Sequence, residues 1–268
     1  MKFAICNELF EGWALQEVFR FVSSLGYEGV EIAPFTLAES VAQFSAAERA
    51  QLRRDAQGCN IEIVGLHWLL ASPPGLHISH PDESVREQTV AYLKELARCC
   101  ADLGGNIMVF GSPKQRNVLP GLSAEQAREH AIAAFRQALP LAKEKDVTIC
   151  LEPLTPDETN FVNTAADAAE IIEAVGHPNL QLHLDAKAMC SENEPIPTII
   201  KAHASYLRHF HANDPNRRGP GFGSLDFAPI MAALREVGYD GYVSVEVFDF
   251  SPDPKTIAAK SIEYLRQF

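Results

Sequence analysis

Val147-Thr148-Ile149-Cys150-Leu151-Glu152-Pro153 is the stretch that decides the fold. Five β-branched or apolar residues in a row are too few for a buried helix. They read as a strand covered on both faces, as in a parallel sheet. A carboxylate and then a proline close the run, proline having no N–H with which to continue a ladder. Upstream, Ile132, Phe135, Leu139 and Ala142 recur at helical spacing, and Ser123 stands where an N-cap is needed. Pro140 in this helix predicts a kink. Only Lys145-Asp146 joins helix to strand, whereas a long loop, 153–163, follows the strand and leads to Thr164, a second N-cap candidate.

The same grammar recurs along the chain. Strands are predicted at 3–6, 29–32, 62–66, 107–110, 147–151, 180–184, 207–210 and 242–247, with helical periodicity between them, as in Val90, Leu93, Ala97 and Cys100. Leu25-Gly26-Tyr27-Glu28-Gly29-Val30-Glu31 is echoed by Val237-Gly238-Tyr239-Asp240-Gly241-Tyr242-Val243, the same helix exit leading into a strand. Eight strand-helix units in about 250 residues predict an α/β fold, a single (β/α)8 TIM barrel over residues 1–268. An open doubly wound sheet is the alternative. Helix-to-strand turns are short and several βα loops long, so function is expected at the C-terminal face.

Composition narrows the partners. The 268 residues are 47% hydrophobic and 22% charged, ordinary values for a globular domain. A net charge of −12 opposes attraction to a nucleic acid backbone or an anionic membrane, and neither partner is expected. No apolar run approaches the roughly 20 residues of a membrane span. Asn7 arrives too early for a secretory signal, so a cytoplasmic protein is expected. Six cysteines without a CxxC pair read as reduced core residues rather than disulfides or a zinc site.

The residues closing the strands are Asn7, Glu31, His67, Gly111, Glu152, Asp185, His211 and Glu246. Any one alone reads as a hydrogen bonder at the barrel rim. The last four are separated by 33, 26 and 35 residues, about one βα unit each, so they would meet at one mouth. The three carboxylates among them would repel one another unless they held a cation. That donor set suits Mn²⁺, Mg²⁺ or Co²⁺ rather than a closed cysteine-rich zinc site. His67 and Trp68 form a candidate pocket wall, Trp68 to stack on a ligand face and His67 to bind a hydroxyl. Trp13 and Phe248 are further wall candidates, and His183 and Asp214 could orient ligands.

Leu151-Glu152-Pro153-Leu154, Glu158-Thr159-Asn160-Phe161, His183-Leu184-Asp185, the stretch from His211 to Gly221, and Val245-Glu246 together resemble the xylose-isomerase-like sugar isomerases and epimerases. Within these they are closest to the ketose 3-epimerases of the tagatose and psicose type, and the resemblance spans the chain. It implies one divalent cation on Glu152, Asp185, His211 and Glu246, sugar contacts from Glu158 and Arg217, and a homo-oligomer, dimer or tetramer. It also implies enediolate chemistry on a small-molecule sugar, Glu152 and Glu246 moving protons on opposite faces to epimerise C3 of a ketose. Where those epimerases carry a histidine three places after the aspartate, this chain has Ala188, and Lys187 stands beside it. An extended segment would turn Lys187 the same way as Asp185, offering a cation to the substrate. Other readings are an aldose-ketose isomerase, a metal-dependent lyase on an oxidised, phosphorylated or inositol-like sugar, and a sugar-binding barrel without turnover.

Overall fold

Eight strands alternate with helices in a computed structural model that describes residues 1–268. The strands are β1 (Lys2–Cys6), β2 (Gly29–Ile32), β3 (Glu62–Leu66), β4 (Ile107–Phe110), β5 (Thr148–Leu151), β6 (Leu180–Asp185), β7 (Leu207–Ala212) and β8 (Tyr242–Val245). They pair in parallel, each with the next, and β8 closes on β1, giving the (β/α)8 barrel that the periodicity predicts. The two echoed segments lead into β2 and β8, which flank β1 on either side.

The helices are α1 (Leu15–Leu25), α2 (Ala46–Gly58), α3 (Glu83–Leu103), α4 (Ala124–Glu144), α5 (Ala165–Val175), α6 (Ala186–Met189), α7 (Ile196–Ala202), α8 (Phe227–Glu236) and α9 (Pro254–Leu265). Ser123 and Thr164 cap α4 and α5 through reciprocal capping boxes, which satisfy the otherwise unpaired first-turn N–H groups. Pro140 does not end α4, which is helical from Ala124 to Glu144. No helix is long and apolar enough to cross a membrane. All six cysteines are unpaired.

Two apolar bodies hold the barrel. The larger fills the space between sheet and helices; there the Phe110 and Phe135 rings meet edge to face, with centroids 5.2 Å apart. Burying each such ring contributes about 1.5–3 kcal/mol. The smaller body lies inside the barrel, where Ala4, Val64, Ile107, Val109 and Cys150 form an apolar floor. Gly65 brings β3 against the backbone of Ile107, where any Cβ would collide. Above this floor the interior turns polar, because strand alternation puts residues i and i+2 on one face. Cys150 and Glu152, His183 and Asp185, His209 and His211, and Ser244 and Glu246 are such pairs. Their upper members reach the mouth.

Candidate active site

Asp185 and His211 were expected just beyond their strands and lie within them, as ladder partners of β6 and β7. Polar side chains end an apolar pattern without ending the hydrogen bonding. Glu152 and Glu246 follow β5 and β8 directly, and their N–H groups still donate to Phe110 and Ala212, at 3.1 and 3.3 Å. Gly111 faces Glu152 across β4 and β5, and a Cβ there would overlap the Glu152 carboxylate. Four backbones thus fix four donors.

Oxygen or nitrogen atoms of Glu152, Asp185 and His211, with one from His183, all lie within 4.8 Å of one another. Glu246 is joined to them by His211, whose Nδ1 is 3.1 Å from Glu246 Oε2. All four predicted ligands are buried. Burial, with the charges of Glu246 and Asp185, raises the Glu152 pKa well above the carboxylate range. Burial raises Asp185 too, against the pull of Lys187. Burial opposes the charge on Glu246, but His211 outweighs it and the pKa falls. Both nitrogens of the buried His183 lack a hydrogen-bond partner, and Nε2 is 3.6 Å from Glu152 Oε1. Three buried carboxylates with too few counter-charges, beside an imidazole held neutral by burial and by its histidine neighbours, fit a divalent cation.

A second layer orients these groups. Asp185 Oδ1 accepts from Ala188 N at 2.7 Å, capping α6, and Oδ2 accepts from Asn213 Nδ2 at 2.5 Å. Asn213 Oδ1 in turn accepts from Lys187 N at 2.8 Å. His211 Nε2 is 3.2 Å from both oxygens of Glu31, and His209 Nε2 is 2.6 Å from Glu31 Oε1. Glu31, read as a rim residue, therefore lies inside the barrel. Its pKa is well below the usual range because His209 and His211 outweigh burial. Glu31→Gln is expected to weaken Mn²⁺ binding about 10- to 100-fold by loosening His211. Titration calorimetry on the two proteins checks this; equal affinities would make Glu31 a passive partner.

Lys187 is not in an extended segment: it is the second residue of α6, so strand alternation does not set its direction. Its Nζ nevertheless reaches Glu158 Oε1 at 2.8 Å and lies 4.9 Å from the centroid of Phe248. Glu158 Oε2 accepts from Thr155 N and Oγ1, at 3.2 and 2.9 Å. His67 Nε2 is 2.6 Å from Glu8 Oε2. Burial pushes the Cys6 thiol beside it up to about 11, which leaves Glu8 as the charge that keeps His67 protonated against burial. Trp68 adopts φ 53°, rare for a bulky residue, and its indole stands 6.3 Å from Phe248. His67, Trp68, Glu152, Glu158, Glu246 and Phe248 line a narrow chamber. Arg217, also at positive φ, is exposed and lines a wider outer cavity instead. Asp214 accepts from Leu225 N at 3.4 Å and so orders its own loop.

Sequence reasoning missed Glu8, His209, Asn213 and Arg116. Two-residue spacing from His211 was a signal for His209 and Asn213. Arg116 had none: it lies in the loop after β4, fully buried, and donates to the carbonyls of Glu152 and Val162 at 2.5 and 3.2 Å.

A parallel eightfold barrel with carboxylates and imidazole at its mouth has known relatives. The chain belongs to the xylose isomerase-like TIM barrel family, whose profile matches residues 19–268. The D-psicose 3-epimerase of Ruminiclostridium cellulolyticum is 28% identical over 231 residues, 85% of this chain and 76% of the relative. The 3-dehydro-D-guloside 4-epimerase of Escherichia coli K12 is 26% identical over 277 residues, 99% of each. A solved D-psicose 3-epimerase, determined in the presence of D-fructose, superposes with a TM-score of 0.88 over 100% of this chain and 99% of that one. Identity there is 22%, so the likeness is one of fold.

Proposed function

We propose that this chain is a divalent-metal-dependent sugar epimerase that inverts the carbon beside a substrate carbonyl, with C3 epimerisation of a ketose as the simplest case. The observation that carries the reading is the convergence of Glu152 and Glu246, from strands three apart, around His211 and Asp185. A cation held by these four residues, Mn²⁺ first and Co²⁺, Mg²⁺ or Zn²⁺ otherwise, would polarise the carbonyl and acidify the neighbouring C–H. Glu246, held ionised by His211, removes the proton from one face. Glu152, reaching the site from β5, returns one to the other. In the reverse direction the roles exchange. Lys187 keeps its charge beside Glu158 and supplies a cation to the oxygen on which negative charge develops, while Glu158 accepts from substrate hydroxyls. The relatives named above epimerise C3 or C4, and in a 2-ketose and a 3-dehydro sugar respectively each carbon adjoins the carbonyl.

Incubating the Mn²⁺-loaded protein with a panel of ketoses and keto sugars, followed by NMR and mass spectrometry, tests the reading. It predicts an epimer of unchanged mass; loss of water would make the protein a lyase, and an aldose product an aldose-ketose isomerase. Lys187→Ala is expected to cost more on the preferred sugar of that panel than on fructose or tagatose. Equal losses on all would reduce Lys187 to a structural partner of Glu158.

A further inference from the structure

A cavity of about 950 Å³ opens beside the reaction chamber, formed by the loops after β1, β2, β3 and β8, with Arg217 at its edge. That is the upper end of the about 300–1,000 Å³ that hold drug-sized molecules. Six aromatic side chains line it: Phe10, Trp13, Phe35, Trp68, Phe248 and Phe250. A free monosaccharide, hydroxylated at nearly every carbon, leaves such a lining uncovered. Trp68 and Phe248 also line the chamber, so the two spaces share a wall.

Two independent features point to a ligand there. Phe35 is 44% exposed and, apart from the terminal Met1, is the only large hydrophobic side chain exposed on the molecule. The indole Nε1 of Trp68 is buried with no acceptor, at a residue held at φ 53° on the boundary between the spaces. An oxygen linking a sugar to its substituent would pass this boundary and accept from that N–H.

We propose that the outer cavity is a subsite for an apolar, aromatic substituent joined through oxygen to the keto sugar, so that the substrate is a glycoside-like conjugate rather than a free sugar. The inference rests on the epimerase reading and names the substrate class of the same site. The sugar carbons react in the narrow polar chamber, while the substituent stacks among Trp13, Phe35 and Phe250.

The test titrates Mn²⁺-loaded protein with both anomers of phenyl and methyl D-glucoside by calorimetry. Phenyl is expected to bind at least tenfold tighter than methyl for one anomer. Phe35→Ala and, separately, Trp13→Ala are expected to shrink that ratio below threefold; Phe35 is the safer variant, because Trp13 also packs on Phe10 and Phe21. Equal affinities for phenyl and methyl, or a ratio that neither variant changes, would overturn the subsite. So would a dimer, seen by light scattering and lost in Phe35→Ala, that excludes the phenyl glucoside. Exchange of the α-proton of methyl 3-keto-D-glucoside or D-tagatose in D₂O tests the epimerase reading separately. Exchange without a phenyl preference removes the subsite alone, whereas a phenyl preference without exchange removes the reaction assignment.

Discussion

Glu246→Gln and Glu152→Gln are each expected to lower turnover by at least about a hundredfold while the barrel stays folded. Glutamine keeps the shape and can still hydrogen-bond His211 from position 246, but it cannot carry a proton between substrate faces. The Glu152→Gln variant has a second, distinct signature. In the metal-free protein Glu152 has a raised pKa, from burial and from the charges of Glu246 and Asp185. The folded state then binds a proton more tightly than the unfolded one. The stability contributed by this carboxyl is therefore fully present at low pH and is lost as pH rises from the ordinary glutamate value through the raised one. Glu152→Gln removes that loss, so the metal-free variant is expected to melt no lower than the parent at pH 7. Near-normal turnover in both variants would sink the two-carboxylate mechanism, and a large fall in melting temperature for Glu152→Gln would show that the carboxylate is structurally required.

Arg116→Met is expected to cost roughly 1–3 kcal/mol of stability. The guanidinium is fully buried, and burial lowers its pKa to about 10 although Glu152 and Glu158 favour its charge. It spans from the loop after β4 to the Glu152 carbonyl at the end of β5 and the Val162 carbonyl beyond it. Val162 is itself held at φ 62°, an outlier for a β-branched residue that persists only when its surroundings enforce it. Methionine fills the space but donates nothing, leaving both carbonyls without this donor. Arg116→Lys retains a charge but not the planar fork, so it is expected to recover only part of the loss. Denaturant unfolding measures the first effect, and Mn²⁺ affinity reports whether Glu152 has moved. Wild-type stability in the methionine variant would contradict this account of the loop.

The barrel was legible because most strands are short β-branched or apolar runs, most of them stopped by a polar residue, and that pattern reports two-sided burial. The candidate ligands were legible for the same reason: a carboxylate or histidine ending such a run has to be aimed at something. Beneath them only His183 had been singled out, as a group that could orient a ligand. His209 and His183 sit two residues before His211 and Asp185, and strand alternation alone puts them in the layer below. Glu31 was counted among the residues closing the strands although its strand, as predicted and as observed, runs on to Ile32, so it lies one residue inside the end. Lys187 was assigned a direction from an extended segment, whereas Asp185 caps α6 and starts a helix there. Glu8 and Arg116 reach the site from loops, whose paths follow from no periodicity. Trp68, Val162 and Arg217 adopt positive φ without being glycine, which local sequence does not announce.

The central claim is that Glu152 and Glu246 remove and return the proton beside a substrate carbonyl. Incubating the Mn²⁺-loaded protein in D₂O with the keto-sugar panel, and locating deuterium by NMR, tests it most directly. The account predicts deuterium at the carbon next to the carbonyl, in both substrate and epimer, and its loss in Glu152→Gln and Glu246→Gln. Epimer formed without deuterium, or exchange undiminished in both variants, would contradict it.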